Sequence, residues 1–157
     1  MYSPEALMNL AIEKARQGIS IGQSPFGCAI AREDVLLACE HNTVLTGPDI
    51  TAHAEVNALR AACHRSGEIF LEGAIVATTC EPCPMCMAAL HWARVHTVYF
   101  GASISDAAHA GFNELQLPAQ RLLDLGGSSV QLESGLLAEP CRQLFQEWLA
   151  RPTRQVY

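Results

Sequence analysis

Two short segments hold the residues best suited to chemistry: His53-Ala54-Glu55 and Cys80-Glu81-Pro82-Cys83-Pro84-Met85-Cys86. Each opens a predicted helix. A helix start presents unpaired backbone N–H groups and the positive end of the helix dipole, which favour thiolates and other anionic ligands. Zinc takes imidazole nitrogen and thiolate sulfur in tetrahedral geometry, and a catalytic zinc keeps its fourth position for water. His53, Cys83 and Cys86 supply three such donors. Glu55 follows His53 by two residues and so points elsewhere around the helix start, beside the water rather than on the metal. A metal so held lowers the pKa of its water, and the glutamate can take the proton. The alternative is a closed structural site with Cys80 or a histidine as fourth ligand. That arrangement gives the glutamate no purpose.

The surrounding sequence must position these pieces. Ser3-Pro4-Glu5 reads as a helix start, followed by an apolar face of Leu7, Met8, Ala11, Ile12 and Ala15 and a terminating Gly18. Residues 26–31 and 35–39 form a hairpin around Arg32-Glu33-Asp34. A helix over 54–65 is predicted from its alanine and leucine content, ending before Gly67. Residues 73–79 read as a buried strand, 83–94 as a helix and 97–100 as the next strand. This alternation argues for an α/β layer structure with parallel neighbours. A loop is expected around 106–117, a last strand at 129–132, and a closing amphipathic helix over 136–150. The buried face of that helix is Leu137, Leu144, Phe145 and Trp148. The stretch 116–127 shows no clear pattern.

The chain has 157 residues, half of them hydrophobic and 17% charged, which suits one domain with its own core and excludes extended disorder. No run approaches the roughly 18–20 apolar residues of a membrane span. The first residues lack the pattern of a secretory signal, so the cytoplasm is expected. Seven cysteines are an odd number. Three crowd together, which reads as metal chemistry, and Cys28, Cys39, Cys63 and Cys141 read as small core hydrophobes. The net charge is −6 and Lys14 is the only lysine. No basic stripe fit for a phosphate backbone is visible, so the expected substrate is a small molecule rather than a nucleic acid.

The His53 and Thr79–Cys86 motifs resemble the cytidine-deaminase-like superfamily, in which this ligand set stands with a glutamate that is not a ligand. The resemblance runs from about Pro25 to Glu114 and more loosely to both ends. It implies a three-layer α/β/α fold with a central mixed five-stranded sheet, one Zn2+ per subunit, and a homodimer. Within the superfamily the chain is most similar to bacterial guanine deaminases. The similarity is carried by Pro25-Phe26-Gly27, Asn42, Ile50-Thr51-Ala52-His53, His91-Trp92-Ala93-Arg94 and Asp106-Ala107-Ala108-His109-Ala110-Gly111-Phe112. The reaction implied is hydrolytic deamination of a nucleobase, guanine to xanthine and ammonia. Glu55 and Glu114 are then the catalytic acids, and Phe26, Asn42, Ala54, Trp92 and Tyr157 the substrate contacts. In these relatives subunits also exchange C-terminal tails, each placing a tyrosine, here Tyr157, over the partner's site. Where some relatives carry two successive acids, this chain has Asn113-Glu114.

Other readings remain open on sequence. Gly135-Leu136-Leu137-Ala138-Glu139-Pro140-Cys141 resembles the ending of tRNA adenosine deaminases, which apply the same chemistry to a base drawn out of a loop. A deaminase of a nucleoside such as guanosine, of cytosine, or of a triazine or pterin fits the motifs as well. A non-catalytic module with a structural zinc is the reading from another class.

Overall fold

A computed structural model describes residues 1–157. Ser3 accepts a hydrogen bond from the Ala6 N–H and Pro4 takes the first helical position, so α1 runs Pro4–Ser20. Its predicted stripe from Leu7 to Ala15 is buried. The hairpin follows as β1 (Gly27–Arg32) and β2 (Val35–His41). Then come α2 (Ala54–Ser66), β3 (Ile75–Cys80), α3 (Pro84–Trp92), β4 (Thr97–Ala102), α4 (Ile104–His109), α5 (Ala119–Gly126), β5 (Gln131–Ser134) and α6 (Ala138–Leu149).

The five strands lie in the order β2-β1-β3-β4-β5. β1 is antiparallel to both β2 and β3, whereas β3, β4 and β5 are parallel. The sheet is therefore mixed. Alternate residues of β1 serve opposite faces, as the strand pleat requires. Cys28 and Ile30 join a core with α2, α3 and α5. Ala29 and Ala31 join a second core with α1 and α6. These are the three α/β/α layers.

Close packing of α1 on the sheet depends on Gly27, where a Cβ atom would lie 2.1 Å from the Ala11 carbonyl oxygen. A backbone atom inside a helix cannot step aside as a side chain can. We expect Gly27→Ala to cost about 3 kcal/mol, a fall in Tm of roughly 6–12 °C for a domain of this size. A melting curve within 2 °C or so of the parent would refute this packing.

The structure departs from the sequence reading, or completes it, at four points. The loop predicted over 106–117 begins with α4, which the Ser103–Asp106 capping box nucleates. The unassigned stretch contains α5, ended by Gly127 in the left-handed region. Cys39 and Cys63 are only half-buried, whereas Cys28 and Cys141 are buried as expected. In α6, Leu144, Phe145 and Trp148 are buried, but Leu137 precedes the helix with φ of 49°.

Candidate active site

The topology gathers the chemistry at one end of the sheet. Because β1 runs against β3, the residue before β1, Phe26, lies near the carboxyl end of β3. β2 runs against β1, so Asn42, just after β2, arrives at the same end, and its N–H donates to the Phe26 carbonyl at 3.1 Å. The segments after β3 and β4 emerge there too. His53 is the N-cap of α2 and Cys83 the N-cap of α3, and neither side chain caps its own helix, which leaves both free for another partner.

The donor atoms of His53, Cys83 and Cys86 all lie within 4.8 Å of one another. His53 Nδ1 stands 3.7 Å from Cys83 Sγ and 3.5 Å from Cys86 Sγ. A tetrahedral zinc with ordinary bond lengths requires about 3.6 Å between nitrogen and sulfur ligands. The three residues therefore fit such an ion, and Cys80 does not complete a closed set, since its thiol is directed to the Ser103 carbonyl at 3.4 Å. Hydrogen bonds from Cys86 and His53 pull the Cys83 thiol down to about 4. The Cys86 thiol is pushed far up, by the same bond to Cys83 and then by burial. One thiolate is thus ready at neutral pH, and the second proton leaves when a cation takes its place.

Glu55 is buried, and the Thr78 hydroxyl donates to its Oε1 at 3.1 Å. Burial first, and the charge of Cys83 second, raise its carboxyl above the ordinary range. Burial likewise lifts Glu114 to about 7, with Cys83 adding to it. Both acids line one cavity of about 310 Å³ together with His53, Cys83, Asn42 and Phe26. Tyr157 also lines it. The tyrosine hydroxyl meets the Asn42 amide, and the Tyr157 carbonyl accepts from the Asn113 N–H at 3.1 Å. The tail thus returns to the site of its own chain.

Residues 1–102 match the family described as the cytidine and deoxycytidylate deaminase zinc-binding region. The chain belongs to this deaminase family. Guanine deaminase of Bacillus subtilis (strain 168) is 42% identical over 111 residues, covering 70% of this chain and 71% of that protein. The tRNA-specific adenosine deaminase of Aquifex aeolicus is 36% identical over 118 residues, 73% of this chain and 77% of that one. A solved structure of guanine deaminase from Nitrosomonas europaea superposes with a TM-score of 0.88 at 28% identity, over 96% of this chain and 87% of its own.

Two of the substrate contacts suggested by resemblance to other deaminases sit elsewhere. Trp92 is 78% exposed and does not line the cavity. It closes α3, nine residues after Cys83, so the helix carries it about 13 Å from its metal-binding end. The aromatic wall is Phe112 instead, edge-on to Phe26 at 4.9 Å and to Tyr157 at 5.5 Å. The Ala54 side chain is fully buried in the core beneath α2. Its only route to a ligand is the N–H at the helix start, which has no carbonyl ahead of it. Among the cavity residues, Ile50, Cys80, Glu81, Met85 and Leu115 were not singled out for the substrate from sequence. Their neighbours in the motifs were the available signal.

Proposed function

We propose that this deaminase acts on a free purine base, converting guanine and water to xanthine and ammonia, with one zinc ion held by His53, Cys83 and Cys86. The observation that carries the reading is the pairing of Glu55 with a second acid, Glu114, in a single small cavity roofed by Tyr157. A volume of about 310 Å³ is at the small end for ligand pockets, which suits a single heterocycle.

The zinc, when bound, would polarise a water molecule and lower its pKa. Glu55 is placed to take a proton from the attacking water as the water oxygen adds to C2 of the base. The same carboxyl passes that proton to N3, then takes the second one from the new C2 hydroxyl and passes it to the departing 2-amino group, which leaves as ammonia. Burial holds the Glu55 pKa above the ordinary carboxyl value, which makes it a stronger base toward the water. The Thr78 hydroxyl keeps the acid pointed at the reacting atoms. Glu114 accepts from ring N–H donors across the base, and Asn42 adds an amide contact. Phe26 and Phe112 supply apolar walls, and the tail excludes solvent.

The tRNA reading draws support from the Aquifex aeolicus relative. Against it stand the net charge of −6 and Tyr157 on the wall of a cavity of about 310 Å³, small for a nucleotide with its backbone. A panel of guanine, adenine, cytosine, their nucleosides and a tRNA anticodon stem, read by ammonia release, separates the cases. Guanine is the expected substrate, and release from the tRNA alone would overturn the reading. Glu114→Gln should lower kcat/KM for guanine by about 100-fold, the lower range for acid–base groups, with Tm unchanged. Turnover within a few-fold of the parent would remove Glu114 from the mechanism.

The cysteines are all unpaired, which suits a reducing compartment such as the cytoplasm. No helix is long and apolar enough to cross a membrane. Exposed Ile69, Trp92 and Leu125 would give a homodimer apolar surface to bury.

A further inference from the structure

Glu81 stands between the last residue of β3 and the first metal-binding cysteine, yet it is not one of the donors. Its hydrogen bonds go to a different part of the molecule. Oε2 accepts from the Ile104 N–H at 3.0 Å, at the first residue of α4. Oε1 accepts from the Ala119 N–H at 2.9 Å, at the first residue of α5. Its own N–H donates to the Ala102 carbonyl at 2.8 Å, at the end of β4. One carboxylate therefore holds both ends of the excursion that leaves β4 at 103 and returns at 119.

That excursion carries Phe112, Asn113, Glu114 and Leu115, all on the cavity wall. Its tip has little other backbone tethering. The Glu114 N–H reaches only the Phe112 carbonyl, two residues back, and the Asn113 N–H reaches the tail at Tyr157. Hydrogen bonds to a charged acceptor are roughly twice as strong as neutral ones. Both of the bonds to Glu81 come from helix starts, where an N–H has no partner of its own and negative charge is favoured.

We propose that Glu81 is a positioning residue, a two-armed strut that fixes Glu114 against the substrate by clamping both ends of the 103–119 excursion to the metal-binding segment. The proposal rests on the reading that Glu114 meets the substrate. Glutamine keeps one accepting oxygen but sets an N–H2 group against the other donor. Aspartate keeps the charge but is a methylene too short to span both. Ala119→Pro removes one arm without touching Glu81, at a helix position that tolerates proline and after a residue, Pro118, already at φ −58° and ψ 140°.

The test measures zinc content, Tm and steady-state kinetics for Glu81→Gln, Glu81→Asp, Ala119→Pro, Glu114→Gln and the Glu81→Gln/Glu114→Gln pair, on whichever base of the panel releases ammonia. The three strut variants should keep one zinc per chain and lose about 10–100-fold in kcat/KM, as expected for a misplaced catalytic contact. The double variant should fall no more than about threefold below Glu114→Gln alone, because residues acting through one another are not additive. Full multiplication of the two losses, rescue by aspartate, or loss of zinc in step with activity would each overturn the strut. If Glu114→Gln is itself harmless, the reading of Glu114 fails. If it is damaging while all three strut variants are not, only the strut fails. Should Glu81→Gln not fold, Ala119→Pro with its own Glu114→Gln double carries the same comparison.

Discussion

Glu55→Gln should give a protein that folds, holds its metal and has lost turnover by about a thousandfold or more. The loss lies in the upper part of the range for one acid–base group, because the same carboxyl moves one of the water's protons to the ring and the other to the leaving amine. Glutamine keeps the shape and can still accept from Thr78, so packing should be intact. Stability should not fall. The Glu55 carboxyl is buried and its pKa lies above the ordinary value. As pH rises, the unfolded chain ionises before the folded one, so the charged group lowers stability once pH exceeds the unfolded pKa. Removing the charge therefore leaves Tm at neutral pH equal to or above the parent's. Metal analysis, a melting curve and ammonia release settle it together. Parental turnover with zinc bound would show that Glu55 carries no proton.

An equally large effect is expected at the metal. Cys86→Ser replaces a fully buried thiol with a near-isosteric hydroxyl, so the fold should survive. The hydroxyl does not ionise near neutrality and is a harder, poorer zinc ligand than thiolate. Zinc content should fall to a small fraction of one per chain and ammonia release below detection. Chelation of the parent should do the same, with activity restored by Zn2+. The pH dependence follows from the thiol pair. The Cys86 proton is held strongly while Cys83 is the thiolate. Binding must expel that proton, so metal affinity should drop as pH falls. Chelator competition at two pH values measures the slope. Activity within tenfold of the parent in Cys86→Ser, with zinc retained, would remove Cys86 from the ligand set.

The sequence was most readable where local chemistry decides local structure. Ser3-Pro4 marked the start of α1 and Gly67 the end of α2, because a cap and a left-handed terminus each need particular residues. His53, Cys83 and Cys86 could be grouped from spacing and helix starts before any fold was known, and the fold brings them within ligand distance. α4 was hidden because a helix of six residues is too short to show periodicity. Its signal was the cap Ser103 with Asp106, not the apolar pattern. Trp92 was misplaced for another reason. Sequence places a residue on a helix but not on its exposed side, and only tertiary packing shows that α3 meets the cavity at its first turn. The tie from Glu81 to Ile104 and Ala119 spans 23 and 38 residues, which no local pattern reports.

The crossover between β4 and β5 has a consequence for how such an enzyme can change. The metal cluster grows from α2 and from the β3–α3 junction, both built into the larger core. The stretch from Gly111 to Pro118, which brings Phe112 to Leu115 to the cavity wall, sits outside it, and Phe112 is the only residue of that stretch packed into either core. On the proposed reading, reactivity and part of the selectivity would then lie on different segments, tied to one another through the ends of the excursion at Glu81. Variation between 113 and 118 can explore new heterocycles while the machinery that activates water is carried along unaltered. A library confined to those six positions should retain folding and zinc in most members and still yield altered base preference.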